Sequence, residues 1–277
     1  MDRPGYRVPL PDGARRVLRP SLVEAVGVAG AKEAPAKHFH APSTNGSTSQ
    51  TNALSFFAPN INIVRDVRWG RAQETYGEDP TLTSKLGAAY VRGMQYLGGN
   101  PATAPLAVRN VAKHFAAYNV ESDFAGRTTP AEIARGDGQF RLSYDAHVPE
   151  ADLQQTFLPA FRSVVRDAKI RGVMCGYNSV DGTPLCANDK LLRDELRGRV
   201  GYNYDGIVIT DCGAIGFMVT NHKWKHANGS LYTATEATAA ALMAGTDLNC
   251  GSEFADHLPA ALDAGLVSLA AVDQAVT

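Results

Sequence analysis

Long apolar runs are what this sequence most plainly lacks. No stretch reaches the roughly 18–20 residues that a membrane span requires. The opening "MDRPGYRVPLPDGARRVLRP" has no apolar core of the kind a signal peptide carries. An excess of one charge is missing as well. The 27 Lys and Arg nearly balance 28 Asp and Glu, for a formal net charge of -1, so neither nucleic acid nor an anionic membrane surface is indicated as a partner. No Cys-x-x-Cys occurs, which argues against zinc. No G-x-G-x-x-G follows a strand pattern, which disfavours a dinucleotide-binding sheet. No metal or organic cofactor is expected.

What is present is enough for one sizeable core: 277 residues, 44% of them hydrophobic. Four cysteines allow two structural disulfides, Cys175–Cys186 across a short loop and Cys212–Cys250. Two such bridges imply an oxidising compartment. Asn45-Gly-Ser47 and Asn228-Gly-Ser230 are glycosylation sequons, although such triplets are common by chance. These features favour secretion of the parent protein, and the missing leader then points to an incomplete chain.

Residues 1–50 are poor in pattern and run into a polar linker, "HAPSTNGSTSQTNA" (His40 to Ala53). From residue 51 to 277 short apolar runs alternate with helical patterns. "LSFFAPN", "VRNVAKHF", "RGVMCGYN", "GIVITD" and the short "TDLNC" read as strands. "DPTLTSKLGAAYVRGMQYL" reads as a helix that Asp79 caps and Pro80 opens. "EADLQQTFLPAFRSVVRDAK", "NDKLLRDELRGRV", "TATEATAAALMAG", "FADHLPAALDAG" and "SLAAVDQAV" complete the helices. The alternation predicts a parallel sheet with helical crossovers. Several strands end in polar groups: Pro59-Asn60, Lys113-His114, Tyr177-Asn178 and Asp211. A β/α barrel gathers all its strand ends at one face, where the active site lies, so the barrel is favoured over an open sheet.

Asp211 is the sharpest chemical candidate. A carboxylate at the end of a buried strand is costly unless it is paired or used, and the bland alternative is a cap for the turn that follows. Lys113 and His114 together suit the gripping of hydroxyl groups; a Lys–carboxylate pair with a hydrogen-bonded histidine explains them equally well. "RDVRWGRAQETYGEDP" (Arg65 to Pro80) is dense in Arg, Glu and Asp, and Arg71 and Glu74 are spaced to pair. Asp181-Gly182 supplies a turn between Cys175 and Cys186.

Taken in order, "APNINIVRDVRWGRAQETYGEDP", "VAKHFAAYNVE", "RLSYDAHVPEADLQQTFLPAF", "GVMCGYNSVDGTPLCAN", "GIVITDCGAI" and "ALMAGTDLNCG" resemble glycoside hydrolase family 3, in particular its β-xylosidase and α-arabinofuranosidase branch. "VAGAKEAPAKHF" is similar only to a damaged form of a family helix, with Pro35 where an Arg is usual. The resemblance implies a (β/α)8 TIM-type barrel that hydrolyses β-linked sugars with retention through a covalent glycosyl–Asp intermediate. It assigns Asp211 as nucleophile, Arg71, Lys113 and His114 to the sugar hydroxyls, and Tyr177, with Met174 of the same segment, to the substrate. β-Xylosides are the implied substrate, with β-glucosides as the alternative and a catalytically silent sugar-binding remnant as the reading from another class. Retention needs a second carboxyl about 5–5.5 Å from the nucleophile. The family draws its acid/base from a second domain beyond the barrel, and the chain stops at Thr277, where the resemblance places the barrel's end. Glu74, Glu78, Glu121 and Glu253 are available but match no family acid; Glu74 and Glu78 read as network residues. No segment before Ser21 matches the family's first strand, so the barrel is expected to be incomplete there. "GRTTPAEIARGDGQ" (Gly126 to Gln139) is longer than the linker usual at that point.

Overall fold

The computed structural model describes residues 19–40, 52–67, 69–120 and 141–277. The Asn45 sequon, Glu121, the segment 126–139 and most of the linker before Ala53 lie outside the described residues, as does nearly everything before Ser21.

Five wall positions follow one another in sequence order, all parallel. Strand β1 (Ser55–Phe56) pairs with β2 (Arg109–Asn110), and Asn60 bridges Lys113 further along the same two segments. Next to them β3 (Ala112–Phe115) pairs with β5 (Gly172–Cys175), which pairs with β8 (Ile207–Thr210). Leu248 bridges Ile209 as the fifth position. This is an arc of a β/α barrel. "TDLNC", read as a strand, contributes only that bridge. β4 (Asp145–Ala146), β6 (Ser179–Val180) and β7 (Thr183–Pro184) form a small separate sheet. Asp181 and Gly182 both take positive φ between β6 and β7, the tight hairpin turn their sequence favours.

The strands alternate between two environments. Val173, Cys175 and Val208 belong to the main core, whereas Val111, Met174 and Ile209 form a small cluster of their own. Because strand side chains alternate with a period of two, Lys113 and Asp211 stand two residues beyond Val111 and Ile209 on the same face.

Helices cover the arc. The patternless N-terminal segment expected before residue 51 is corrected for its second part: α1 (Pro20–His40) is a helix packed on α2 (Pro80–Tyr96). Its buried residues Val23, Gly27, Ala31 and Ala34 recur at helical spacing. Three of the four are Gly or Ala, which is why hydropathy does not reveal the face. Their smallness serves close approach: a Cβ on Gly27 would lie 2.7 Å from the Met94 backbone nitrogen, and one on Gly93 2.1 Å from the Glu24 carbonyl oxygen. Pro35 sits inside the helix without ending it. Asp79 caps α2 as expected, accepting from the Thr81 and Leu82 N–H groups at 2.6 and 2.9 Å.

Two predicted helices are wound differently. A π-helical stretch, Leu153–Phe157, precedes α3 (Pro159–Arg166), and Lys190–Arg197 is π-helical throughout. Asn188 caps the latter by accepting from the Leu191 N–H at 3.0 Å. α4 (Ala214–Thr220), α5 (Ala234–Met243), α6 (Glu253–Asp263) and α7 (Leu269–Val276) complete the described residues.

Candidate active site

Both disulfides are present, each beside a strand-end residue. Cys175–Cys186 is fully buried, two residues before Tyr177. Cys212–Cys250 joins the residue after Asp211 to the end of the Leu248 segment, with Cys212 exposed. The Gly213 N–H donates to the Cys250 carbonyl at 2.7 Å, and the Cys250 N–H to Thr210 Oγ1 at 2.9 Å. The turn carrying Asp211 is therefore clamped covalently and by hydrogen bonds to the neighbouring wall position.

Asp211 is 13% exposed at its side chain. One oxygen, Oδ1, accepts from the Cys212 N–H at 2.8 Å. The other, Oδ2, is buried and has no hydrogen bond among the described residues, although His114 Nε2 lies 3.4 Å away. The two observations agree once the histidine's tautomer is assigned from its partners. The Asn62 amide is oriented by the His114 backbone: Nδ2 donates to the His114 carbonyl at 2.8 Å, and Oδ1 accepts the His114 N–H at 2.8 Å. Oδ1 also lies 3.0 Å from His114 Nδ1, so that nitrogen carries the proton. Burial, reinforced by the charges of Arg71, Lys113 and Arg141, holds the His114 pKa well below the usual range and keeps the ring neutral. Nε2 then presents a lone pair, and Nε2 and Oδ2 face one another as two acceptors. Each can take a hydrogen bond from a hydroxyl. Gly176 leaves room for its neighbours, since a Cβ there would lie 2.9 Å from Asn178 Oδ1 and 3.2 Å from the His114 Cβ.

Beside this pair lies a charge cluster. Arg71 Nε and Nη2 donate to the two carboxylate oxygens of Glu74 at 2.7 and 2.9 Å, a bidentate fork. Lys113 Nζ lies 3.8 Å from Glu74 Oε2, and Asn60 Nδ2 donates to the same oxygen at 3.4 Å. Burial pushes the Glu74 carboxyl upward, but the Arg71 fork and charge, then Lys113 and Asn60, outweigh it and hold its pKa below the usual range. Burial, then Arg71, lowers the Lys113 pKa, while Glu74 and Asp211 push it back up.

The sequence-predicted residues Asp211, His114, Lys113 and Arg71 thus share one site. Tyr177 joins them: its hydroxyl donates to the Cys212 carbonyl at 3.0 Å. Met174 does not join the polar cluster. It is buried with Val111 and Ile209, one layer deeper, because it stands one residue before Cys175 on the inward row. Glu78 is corrected too: it is exposed and, among the described residues, makes no ion pair with the cluster. Glu253 accepts from Asn249 Nδ2 at 2.7 Å.

Sequence reasoning missed three members. Asn62 fixes the His114 tautomer; its position two residues beyond the strand-end Asn60 was the available signal. The Tyr118 ring lies 4.7 Å from the His114 ring, with the Arg71 guanidinium 5.8 Å over its face; its place four residues after His114, in the quoted "VAKHFAAYNVE", could have found it. Arg141 stacks 5.0 Å over the Tyr177 ring; it opens the quoted "RLSYDAHVPEADLQQTFLPAF", which was the available signal.

Comparison with known proteins places the chain in a family. The family described as Glycosyl hydrolase family 3 N terminal domain matches residues 46–277. Beta-D-xylosidase 3 of Arabidopsis thaliana is 37% identical over 258 residues, covering 93% of this chain and 29% of that protein. Xylan 1,4-beta-xylosidase of Xylanibacter ruminicola is 36% identical over 270 residues, covering 97% and 28%. Among solved structures, a GH3 exo-beta-xylosidase (XlnD) in complex with a xylobiose aziridine activity-based probe superposes with a TM-score of 0.78. It is 31% identical, with 97% of this chain and 31% of that one covered. A beta-glucosidase from Listeria innocua in complex with glucose gives a TM-score of 0.73 at 27% identity, covering 97% and 32%. The chain spans less than a third of the length of each of these relatives.

Proposed function

The chain belongs to glycosyl hydrolase family 3, a family with a TIM-type barrel in its N-terminal domain, and on that premise we propose that it carries the nucleophile half of a retaining β-xylosidase. The observation that supports this most is Asp211. It stands at the end of β8 with one oxygen tied to the Cys212 N–H and the other buried without a hydrogen bond among the described residues. A carboxylate so placed can attack an anomeric carbon. The C–O bond to the leaving group breaks, an Asp–glycosyl ester forms, and the departing oxygen takes a proton from an acid; water then hydrolyses the ester.

The neighbouring groups suit a sugar. Arg71 and Lys113 donate to hydroxyl oxygens, and neutral His114 accepts from a hydroxyl at Nε2. Glu74 cannot be the acid in this arrangement, because two cations hold it ionised. A carboxyl from outside the described residues, as from a further domain, is the fitting source. The relatives named as β-xylosidases favour a pentoside; the β-glucosidase structures keep a glucoside as the second reading. The two disulfides favour a secreted parent protein.

The test is the intact mass of the chain after reaction with 2,4-dinitrophenyl 2-deoxy-2-fluoro-β-xyloside, whose leaving group departs with little acid help. A pentosyl adduct that maps to Asp211 is expected. A folded chain that forms no adduct with this reagent or its glucosyl counterpart would make the site a silent sugar-binding remnant.

A further inference from the structure

Two cations directed at one site repel each other, and something must hold them there. We propose that Glu74 is a positioning residue: its carboxylate holds the Arg71 fork and the Lys113 ammonium together against their mutual repulsion. The inference rests on the sugar-binding reading of that site and goes beyond it by giving a role to a carboxylate that touches no substrate in that reading.

The geometry carries it. Glu74 closes a 3-10 turn, Ala72–Glu74, immediately after Arg71. Both its oxygens are taken by Arg71 at 2.7 and 2.9 Å, and Oε2 is shared with Lys113 at 3.8 Å and Asn60 at 3.4 Å. The three charged side chains are 16–24% exposed, so solvent screens them only in part. Asn60 and Lys113 are bridged across adjacent wall segments, so Glu74 ties the turn to both strand ends at once. A monodentate or neutral partner would hold Arg71 in one plane no longer.

The groups that set the Lys113 charge are all placed. Arg71 and Glu74 approach from the turn, Asp211 from the end of β8, and His114 follows on the same strand, with Arg141 acting on His114. Burial and Arg71 favour the neutral amine; Glu74 and Asp211 favour the ammonium. Removing the Glu74 charge removes one of the two supports. The Lys113 pKa then falls, and the cation is lost at a lower pH than before.

The experiment compares the wild type, Glu74→Gln and Glu74→Asp by two readouts. The first is the titration of the Lys113 ε-carbon by NMR, which needs no substrate, with its resonance assigned from Lys113→Arg. The second is the pH profile of adduct formation with the 2-fluoro xyloside. Glu74→Gln should lower the Lys113 titration. The alkaline limb of the adduct rate should move down by the same amount, and the inhibition constant of the reagent should rise about tenfold. Glu74→Asp keeps the charge and should restore the limb while recovering only part of the affinity. An unchanged Lys113 titration in a folded Glu74→Gln chain would overturn the proposal. So would an unmoved alkaline limb, since a merely structural role predicts lower stability with an unchanged profile. A Lys113 shift in a chain whose wild type forms no adduct would support the charge coupling while refuting the glycosidase reading, which keeps the two failures apart.

Discussion

The two halves of the site handle buried charge in opposite ways. Around Glu74 both carboxylate oxygens are engaged, by Arg71, Lys113 and Asn60. At Asp211 one oxygen is engaged and the other is buried against a histidine lone pair. Leaving a polar atom unmet costs about 1–3 kcal/mol, more when it is charged. The chain bears that cost at one carboxylate and avoids it at the other, although their neighbours Lys113 and His114 are adjacent on one strand. A satisfied carboxylate organises its neighbours; an unsatisfied one is available to react. The same functional group, a carboxylate, therefore supports two roles, and the difference lies in hydrogen-bond partners.

The comparison can be broken most severely at Asp211. Asp211→Ala should abolish the covalent adduct and reduce any turnover by a factor of about 10⁴ or more, with the fold intact by circular dichroism. Persistence of the adduct in this variant would move the nucleophile elsewhere. Asn62→Asp sharpens the contrast without touching either carboxylate. It places a negative charge on His114 Nδ1 and favours the imidazolium. His114 Nε2 would then donate to Asp211 Oδ2 and satisfy it. Adduct formation should slow about tenfold or more at pH 6 and recover as pH rises; a rate independent of pH would refute the neutral-acceptor assignment.

The disulfides extend the comparison to the frame beneath the site. Loop entropy puts each bridge at about 3–4 kcal/mol, so replacing either pair by alanine should lower the denaturant midpoint. They should separate under mild dithiol. Cys212 is exposed while Cys175 and Cys186 are buried, so Cys212–Cys250 should be reduced first. The adduct rate should drop as it opens, because the clamp on the Asp211 turn is released. Mass-resolved alkylation would show whether the order is reversed.

The smallest effect is on acid stability. Burial lowers the pKa of His114 strongly and that of His222 to a lesser degree. His222 is held between the Tyr177 carbonyl at 2.7 Å and Ser179 Oγ at 3.0 Å. Each ring takes up its proton more readily when unfolded, so stability is complete above the unfolded pKa of about 6.5 and declines as pH falls below it. Melting temperature should drop between pH 7 and pH 5, and His222→Asn should flatten that slope. An unchanged slope would assign the loss to other groups.

Much of this was legible in sequence because it depends on neighbours along the chain. The cap at Asp79, the turn at Asp181-Gly182 and the strand ending on Asp211 follow from local backbone chemistry, and six ordered motifs identified the family. Other features were hidden for definite reasons. The buried face of α1 is built from Gly and Ala, so it has spacing but little hydropathy. The π-helical turn before α3 changes which residues face inward without changing composition. Glu74 and Glu78 look alike in sequence, and only packing shows one gripped by two cations and the other in solvent.

Sequence alone determined the strand–helix order, the residue types at the strand ends and the supply of cysteines, since each is set by local propensity and covalent identity. Tertiary structure alone decided which strand-end residues meet, that Asn62, Tyr118 and Arg141 accompany them, and which nitrogen of His114 bears the proton. Those outcomes depend on contacts between groups as far as 97 residues apart, His114 to Asp211, whose distances and burial no local pattern encodes.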